Sequence, residues 1–285
     1  MSYNLILNNT NIISTSNTIF QYKFINGSFQ IPDDSTICIS SVSIPYAWFN
    51  ISQANNNNTF VIIDWLLVSH TITLANGFYQ QQDVQNYIQE YCLNNGLYLV
   101  NASGDPVFFL FIITNTNYYS DQLLTYIVPT AAQFQPSTVG NAYYGWSTGT
   151  GWVGFPTVAT APSLQVLNNN FQQFLGFNNG TYGGGTTNSS ILSQFTPNTT
   201  VVNSLTMSIS IVQNPCQTPT NIIDNIPITS TFGSNIVYEP KYKKEIKVAG
   251  GTYSNFIINI LDQNFNPINS EDPNTTISLL LTLKK

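Results

Sequence analysis

Two runs of alternating residues do most to limit what this chain can fold into. Leu205–Val212 (LTMSISIV) puts Leu205, Met207, Ile209 and Ile211 on one side and polar residues on the other. Successive side chains of a strand point to opposite faces, so this run predicts a strand with one buried face. Ser35–Ile44 (STICISSVSI) does the same with Ile37 and Ile39, then with Val42 and Ile44. The change of phase between the two pairs predicts a β-bulge near Ser40-Ser41. Thr18–Ile25, Ile226–Phe232, Tyr253–Asp262 and Thr275–Leu283 read as further strands. Turn signals separate them, among them Asn26-Gly27, Pro32-Asp33-Asp34 and Pro215–Pro219. Short strands with frequent turns predict an antiparallel β-sandwich. A chain of 285 residues has room for one large β domain and an insertion.

One segment departs from this pattern. Within Thr71–Tyr98, residues Val84, Tyr87, Ile88, Tyr91 and Cys92 recur at helical spacing. Asp83 is the expected N-cap, and Asn94-Asn95-Gly96 the stop. Gln165–Gly176 predicts a second, short helix. Thr59–Val68 and Thr71–Leu74 predict a hairpin turning at His70, and Val107–Ile113 a fully apolar strand. The expected organisation is therefore discontinuous. Residues 1–58 and 190–285 form the β domain, and 59–189 an inserted α+β subdomain. Within the insertion, 129–162 is a long excursion rich in Gly and aromatic residues. Loops of this length usually carry function. Tyr143, Tyr144, Trp146, Trp152 and Phe155 are its candidate contact residues, expected at an exposed tip or a subunit interface.

Composition narrows the partners. Charged residues make up 7% of the chain, against about 25% in an average soluble domain. All seven basic residues are lysines, and the formal net charge is −6. Phosphate backbones are held by Lys and Arg, so nucleic acid is an unsuitable partner. Lys241, Lys243, Lys244 and Lys247 are interleaved with Glu239 and Glu245. They read as a solvated strand guarding a sheet edge. From Gln122 to Ile223 there is no charged residue. Uncharged polar surface can be covered by copies or neighbours without the cost of burying ions. No signal peptide and no membrane span is expected, because the apolar runs reach only strand length. Cys38, Cys92 and Cys216, odd in number and widely spaced, read as small buried apolar residues of a reducing compartment.

No constellation for catalysis emerges. A metal site needs clustered His, Cys or carboxylates, and the chain has one histidine and no Cys-x-x-Cys. Asp262-Gln-Asn264-Phe-Asn266 starts like a calcium loop, but Pro267 stands where glycine is needed. Asp262, Glu271 and Asp272 read instead as turn residues. His70 has no Gly-x-Ser-x-Gly partner for a hydrolase triad. The expectation is a non-enzymatic protein with no cofactor and no metal.

Several segments together resemble the penton (vertex) capsid proteins of virophages and polinton-like viruses. They are Ser41–Ile51 (SVSIPYAWFNI), the strand–Gly–Tyr–helix unit around Thr71–Gly96, Phe174-Leu-Gly-Phe177, and Ile260–Leu281 with its Leu261-Asp-Gln263 and Asp272-Pro-Asn274. The likeness spreads over most of the chain in pattern and order. It implies a single jelly roll with an insertion, and homopentamers at the icosahedral vertices. It also implies a major capsid protein as partner and assembly in the host cytoplasm; no host receptor is indicated. The alternative is a carbohydrate-binding β-sandwich or fibre-type adhesin, with Trp48, Trp146 and Trp152 as sugar platforms.

Overall fold

In a computed structural model, residues 1–115, 117–136 and 138–284 are described. Of the 129–162 excursion only Ser137 falls outside them, as does Lys285. The chain opens with β1 (Ser2–Leu7), β2 (Ile19–Lys23), β3 (Phe29–Ile31) and β4 (Thr36–Pro45). There follow β5 (Thr59–Ile63), β6 (Ser69–Thr73), α1 (Gln81–Asn94), β7 (Leu99–Val100), β8 (Pro106–Val107), β9 (Leu110–Asn115) and β10 (Ser120–Thr125). Next come β11 (Ser147–Thr148), β12 (Ser163–Val166), α2 (Phe171–Leu175), β13 (Gly180–Gly183) and β14 (Ser189–Leu192). The last third supplies β15 (Ser204–Ile209), β16 (Ile222–Pro227), β17 (Asn235–Tyr238), β18 (Ile246–Lys247), β19 (Gly251–Tyr253), β20 (Asn255–Leu261) and β21 (Thr276–Thr282).

The chain divides into two compact units, residues 1–49 with 200–285, and residues 50–199. The first unit holds two larger antiparallel sheets, ordered β1-β21-β4-β17 and β16-β15-β20-β2, and a small β19-β3 ladder. Its eight principal strands in chain order are β1, β2, β4, β15, β16, β17, β20 and β21. One sheet takes the first, eighth, third and sixth of these, and the other takes the second, seventh, fourth and fifth. This interleaving, with first beside last and second beside second-last, is a jelly roll. The insertion lies between its third and fourth strands. β20 buries Phe256, Ile258 and Ile260 in strict alternation, and β21 buries Ile277, Leu279 and Leu281. Burying each such side chain stabilises the fold by roughly 1.5–3 kcal/mol. The expected bulge is present. The β21–β4 register passes from Ser278 opposite Ser41 to Leu279 opposite Ile39, which leaves Ser40 as the extra residue.

The second unit is smaller-stranded and aromatic. Its sheets are β13-β12-β5-β6, β14-β10-β9 and β11-β7-β8, and α1 packs on β9. Phe60 stacks on Phe171 at 4.9 Å, and Phe171 on Phe174 at 5.6 Å. Sequence pattern places the junctions at 58/59 and 189/190, whereas the compact units meet at 49/50 and 199/200. The difference comes from side-chain hydrogen bonds that periodicity does not show. Asn50 Nδ2 donates to the Tyr79 carbonyl at 2.7 Å and to the Thr199 carbonyl at 2.9 Å. Ile51 pairs with Gly77 in an isolated bridge.

Several local expectations need correction. Cys38 and Cys92 are buried as expected, but Cys216 is exposed. Asp83 is not the N-cap of α1. Gln80 occupies that position, and Asp83 sits at N3, accepting from the Gln80 N–H at 2.7 Å. His70 is not in a turn: it lies in β6 opposite Ile62, and the turn spans the residues after Ile63. Gln165 and Val166 belong to β12, so the second helix is only Phe171–Leu175. Val107–Ile113 is not one strand. Val107 pairs with Leu99 in one sheet while Leu110–Asn115 pairs with β10 in another. Of the lysine cluster, only Ile246–Lys247 is strand, paired to the margin of β4. Lys244 reaches Asp224 at 2.6 Å and Lys247 reaches Asp34 at 2.6 Å.

Candidate functional site

The inserted unit carries the features that set this chain apart from a plain jelly roll. The excursion leaves and returns through one bridge, Val128 opposite Thr160. Along the way β11 pairs with β7, and the Val153 N–H donates to the Gly96 carbonyl at 3.3 Å. Gly96 ends α1 at φ 65°, and a Cβ there would collide with the Gly151 carbonyl. Glycine is thus needed both for the left-handed backbone and for the close approach of the excursion.

The expected contact residues form most of a continuous row of rings. Trp65 stacks on Trp152 at 5.1 Å, Trp152 meets Phe155 at 5.1 Å, and Phe155 meets Phe134 at 4.8 Å. Phe134 then meets Tyr143 at 5.7 Å, and Tyr143 meets Trp146 edge-on at 5.2 Å. Trp65 Nε1 donates to the Gly154 carbonyl at 2.9 Å, fixing the loop to the β5–β6 turn. Tyr143, Trp146, Trp152 and Phe155 are therefore half-buried, packed on the unit's core. Tyr144 stands apart from them, 51% exposed.

Tyr143 and Trp146 also form one wall of an apolar concavity of about 670 Å³. Its other wall is the outward face of β9 and β10, with Phe111, Ile113, Leu124 and the following Tyr126. In register, Phe111 faces Leu124 on this side, while Ile112 faces Leu123 on the buried side. The sheet is apolar on both faces, and Ile113 and Tyr126 are each 40% exposed. Apolar side chains are thus left on a face open to solvent. Sequence reasoning missed this wall because it read Val107–Ile113 as a single, fully apolar strand and did not ask which face stayed open. The available signal was the apolar residue at every position, where a half-solvated antiparallel strand alternates.

His70 is fully engaged in holding a turn. Its Nε2 lies 2.9 Å from Asp64 Oδ2, and its Nδ1 lies 3.2 Å from the Tyr91 hydroxyl. Asp64 Oδ1 accepts from the Leu66 and Val68 N–H groups at 2.8 and 3.0 Å. Burial pushes the Tyr91 phenol above its usual range, so it stays protonated. Both ring nitrogens of His70 are thus occupied within the fold. Asp262 Oδ1 accepts from the Asn264 and Asn266 N–H groups, each at 2.8 Å, so it acts as a turn residue. Among the described residues no group of three or more His, Cys, Asp or Glu could hold a metal ion. No helix among them is long and apolar enough to cross a membrane.

The sugar-platform alternative loses one of its residues. Trp48 is 5% exposed and stacks on Tyr46 at 4.4 Å, so its face is covered.

No protein-family model matches the chain, and no curated protein does. Among the solved structures similar to this chain are two from virophages. One is the mavirus penton protein, with 10% sequence identity, coverage of 99% of both chains and a TM-score of 0.44. The other is a chain of the cryo-EM structure of the Sputnik virophage, with 12% identity, coverage of 100% of this chain and 98% of that one, and a TM-score of 0.44.

Proposed function

We propose that this chain is a non-enzymatic structural protein of a virus particle, a penton that forms homopentamers at the icosahedral vertices and contacts a major capsid protein there. The observation that carries the proposal is a jelly roll interrupted between β4 and β15 by a unit with an open apolar face. Jelly rolls serve in capsids and in lectins alike. A lectin site needs exposed aromatic faces ringed by polar groups, whereas this face is lined by Phe111, Ile113, Leu124 and Tyr126 and bears no charge. Such a surface suits burial against a neighbour. A ring closes through heterologous contacts that repeat with a fixed rotation. The segments that resemble virophage pentons also fall at structural junctions: the end of β4, the β6–α1 connection, the close of α2 at Gly176, and β20–β21.

Native mass spectrometry of the purified chain tests this. A species of five copies of the 31.6 kDa subunit is the expected result. Co-assembly with a major capsid protein from the same particle would place it at the vertex. A strict monomer that binds glycans on an array would overturn the reading.

A further inference from the structure

The turn between β5 and β6 carries three apolar side chains into solvent. Leu66, Leu67 and Val68 are 37%, 76% and 51% exposed. Turn positions at positive φ normally fall to Gly, Asn or Asp. Here the position belongs to Leu67, at φ 65°. A leucine is strained there relative to glycine, and strain held at one exposed residue points to a use for its side chain.

The tip is also prepared to leave water. Asp64 Oδ1 accepts from the Leu66 and Val68 N–H groups, and the Asp64 carbonyl accepts from the Leu67 N–H at 3.0 Å. The Asp64 N–H in turn donates to the Val68 carbonyl at 3.0 Å. The three N–H groups of the tip are thus satisfied from within, and covering the tip strands none of them. His70 holds the other oxygen of Asp64, and Gly154 holds the Trp65 ring, so the tip is presented rigid. Little ordering is left to be done on contact.

The same unit carries a recess of matching character, the concavity walled by Phe111, Ile113, Leu124, Tyr126, Tyr143 and Trp146. None of the described residues lining it belongs to the turn. Both features are fixed to one core, because Trp65 meets Phe109 edge-on at 5.7 Å and Phe109 lines the recess. Charge selects the partner. Residues 50–199 hold five carboxylates, Asp64, Asp83, Glu90, Asp105 and Asp121, and no lysine. Two inserted units repel wherever carboxylates face each other. The tip has only the buried Asp64 beneath it, and no carboxylate lines the recess. These are surfaces on which two like-charged units can meet. An anionic lipid surface is disfavoured by the same count, since the unit has no cation to hold its headgroups.

We propose that Leu66, Leu67 and Val68 of one copy enter the recess of a second copy, against Phe111, Ile113, Leu124 and Tyr126. The inference rests on the reading of this chain as a self-assembling particle protein, and it names the surfaces that meet. A tip that enters a different patch of its neighbour makes a heterologous contact, the kind a ring repeats.

Two experiments on the full chain test it. Leu67→Gly removes the most exposed side chain of the tip and relaxes the positive φ. Below the assembly concentration this variant should melt at the same or a higher temperature than the natural chain. The concentration at which native mass spectrometry finds half the chain assembled should rise about tenfold or more, as the loss of one buried leucine side chain predicts. Unchanged assembly overturns the contact. The second experiment uses a short bis-maleimide, with exposed Cys216 replaced by serine; Cys38 and Cys92 are buried. A mixture of Leu67→Cys and Tyr126→Cys chains should give a linked pair, and neither chain alone should. Linking of Leu67→Cys to itself overturns the proposal, because tip would then meet tip. A mixture that assembles without linking overturns the contact and leaves the vertex reading standing, whereas a natural chain that stays monomeric overturns both. Flotation of the monomer with phosphatidylcholine vesicles, lost in Leu67→Gly, would overturn the contact by assigning the tip to a lipid surface.

Discussion

The two units spend their apolar residues differently. The jelly-roll unit fills its core with aliphatic side chains in alternation, as β20 and β21 show, and its sheets follow the two-fold period of a strand. The inserted unit is built on stacked rings, from Phe60, Phe171 and Phe174 to the row that ends at Trp146. It also keeps apolar residues on an outward sheet face. All the buried polar atoms without partners among the described residues lie in this unit, on Gln85, Ser120, Asp121 and Trp152. Unpaired polarity and open apolar surface both lower stability unless something covers them.

The sharpest way to break this comparison is to cut a core residue in each unit. Phe171→Ala and Leu279→Ala remove side chains that are both 0% exposed. The expected losses are about 4 and about 3 kcal/mol, because cavity and transfer costs add. If the units unfold separately, calorimetry should show each change moving a different transition. One shared transition moved equally by both would dissolve the distinction.

The next largest effect is confined to the inserted unit. The Asp121 carboxyl is held near 7 when folded, against a usual value of 3.8. A carboxyl raised on folding is protonated in the native state while it ionises in the unfolded state. Stability is therefore lost as pH climbs from about 4 to about 7 and is level beyond that. The loss is of order 4 kcal/mol, at 1.36 kcal/mol per unit. In Asp121→Asn this part of the pH dependence should disappear from denaturant titrations. A variant whose pH profile matches the natural chain would show that Asp121 has found a partner.

A smaller effect tests the backbone. Gly176 closes α2 at φ 76°, and a Cβ there would strike the Phe195 carbonyl. Gly176→Ala should cost about 2 kcal/mol, through both the left-handed backbone and the collision. Gly104, at φ 89° with open space around it, meets only the first penalty. Gly104→Ala should cost about 1 kcal/mol, and chemical denaturation of the pair would separate the two causes.

The smallest effects are electrostatic and lie in the jelly-roll unit. Lys244 pairs with Asp224, which is 8% exposed and also accepts from the Tyr238 hydroxyl at 2.6 Å. Burial first, and the hydrogen bond to Asp224 second, push the Tyr238 phenol up to about 12, so this donor persists at any working pH. Lys244→Met should cost about 1 kcal/mol, since the lysine itself is largely solvated. Lys247 and Asp34 are both exposed, and Lys247→Met should leave the unfolding midpoint unchanged.

Much of the jelly-roll unit was legible in the sequence, because a strand with one buried face writes a two-residue period into the chain. The bulge at Ser40 could be read from the phase change between Ile39 and Val42 for the same reason. The α1 face was legible too, although its cap was not. Asp83 and Gln80 compete for the role, and hydrogen-bond geometry decides between them. Within the excursion, the aromatic residues stood out by type, but sequence does not say which rings meet. Trp152 and Trp65 stack across a long stretch of intervening chain, and no local pattern records that contact.

By itself, then, the sequence determined the strand-rich class, the one substantial helix and the charge-free middle. These follow from local periodicity and composition, which are properties of neighbouring residues. Only the tertiary structure decided the order of strands in the two sheets and the junctions at residues 49 and 199. It alone split Val107–Ile113 between two sheets, turned β9 and β10 into an open apolar wall, and left Asp121 without a partner. Each of these depends on contacts between residues far apart in the chain, whose free energy resides in packing and pairing.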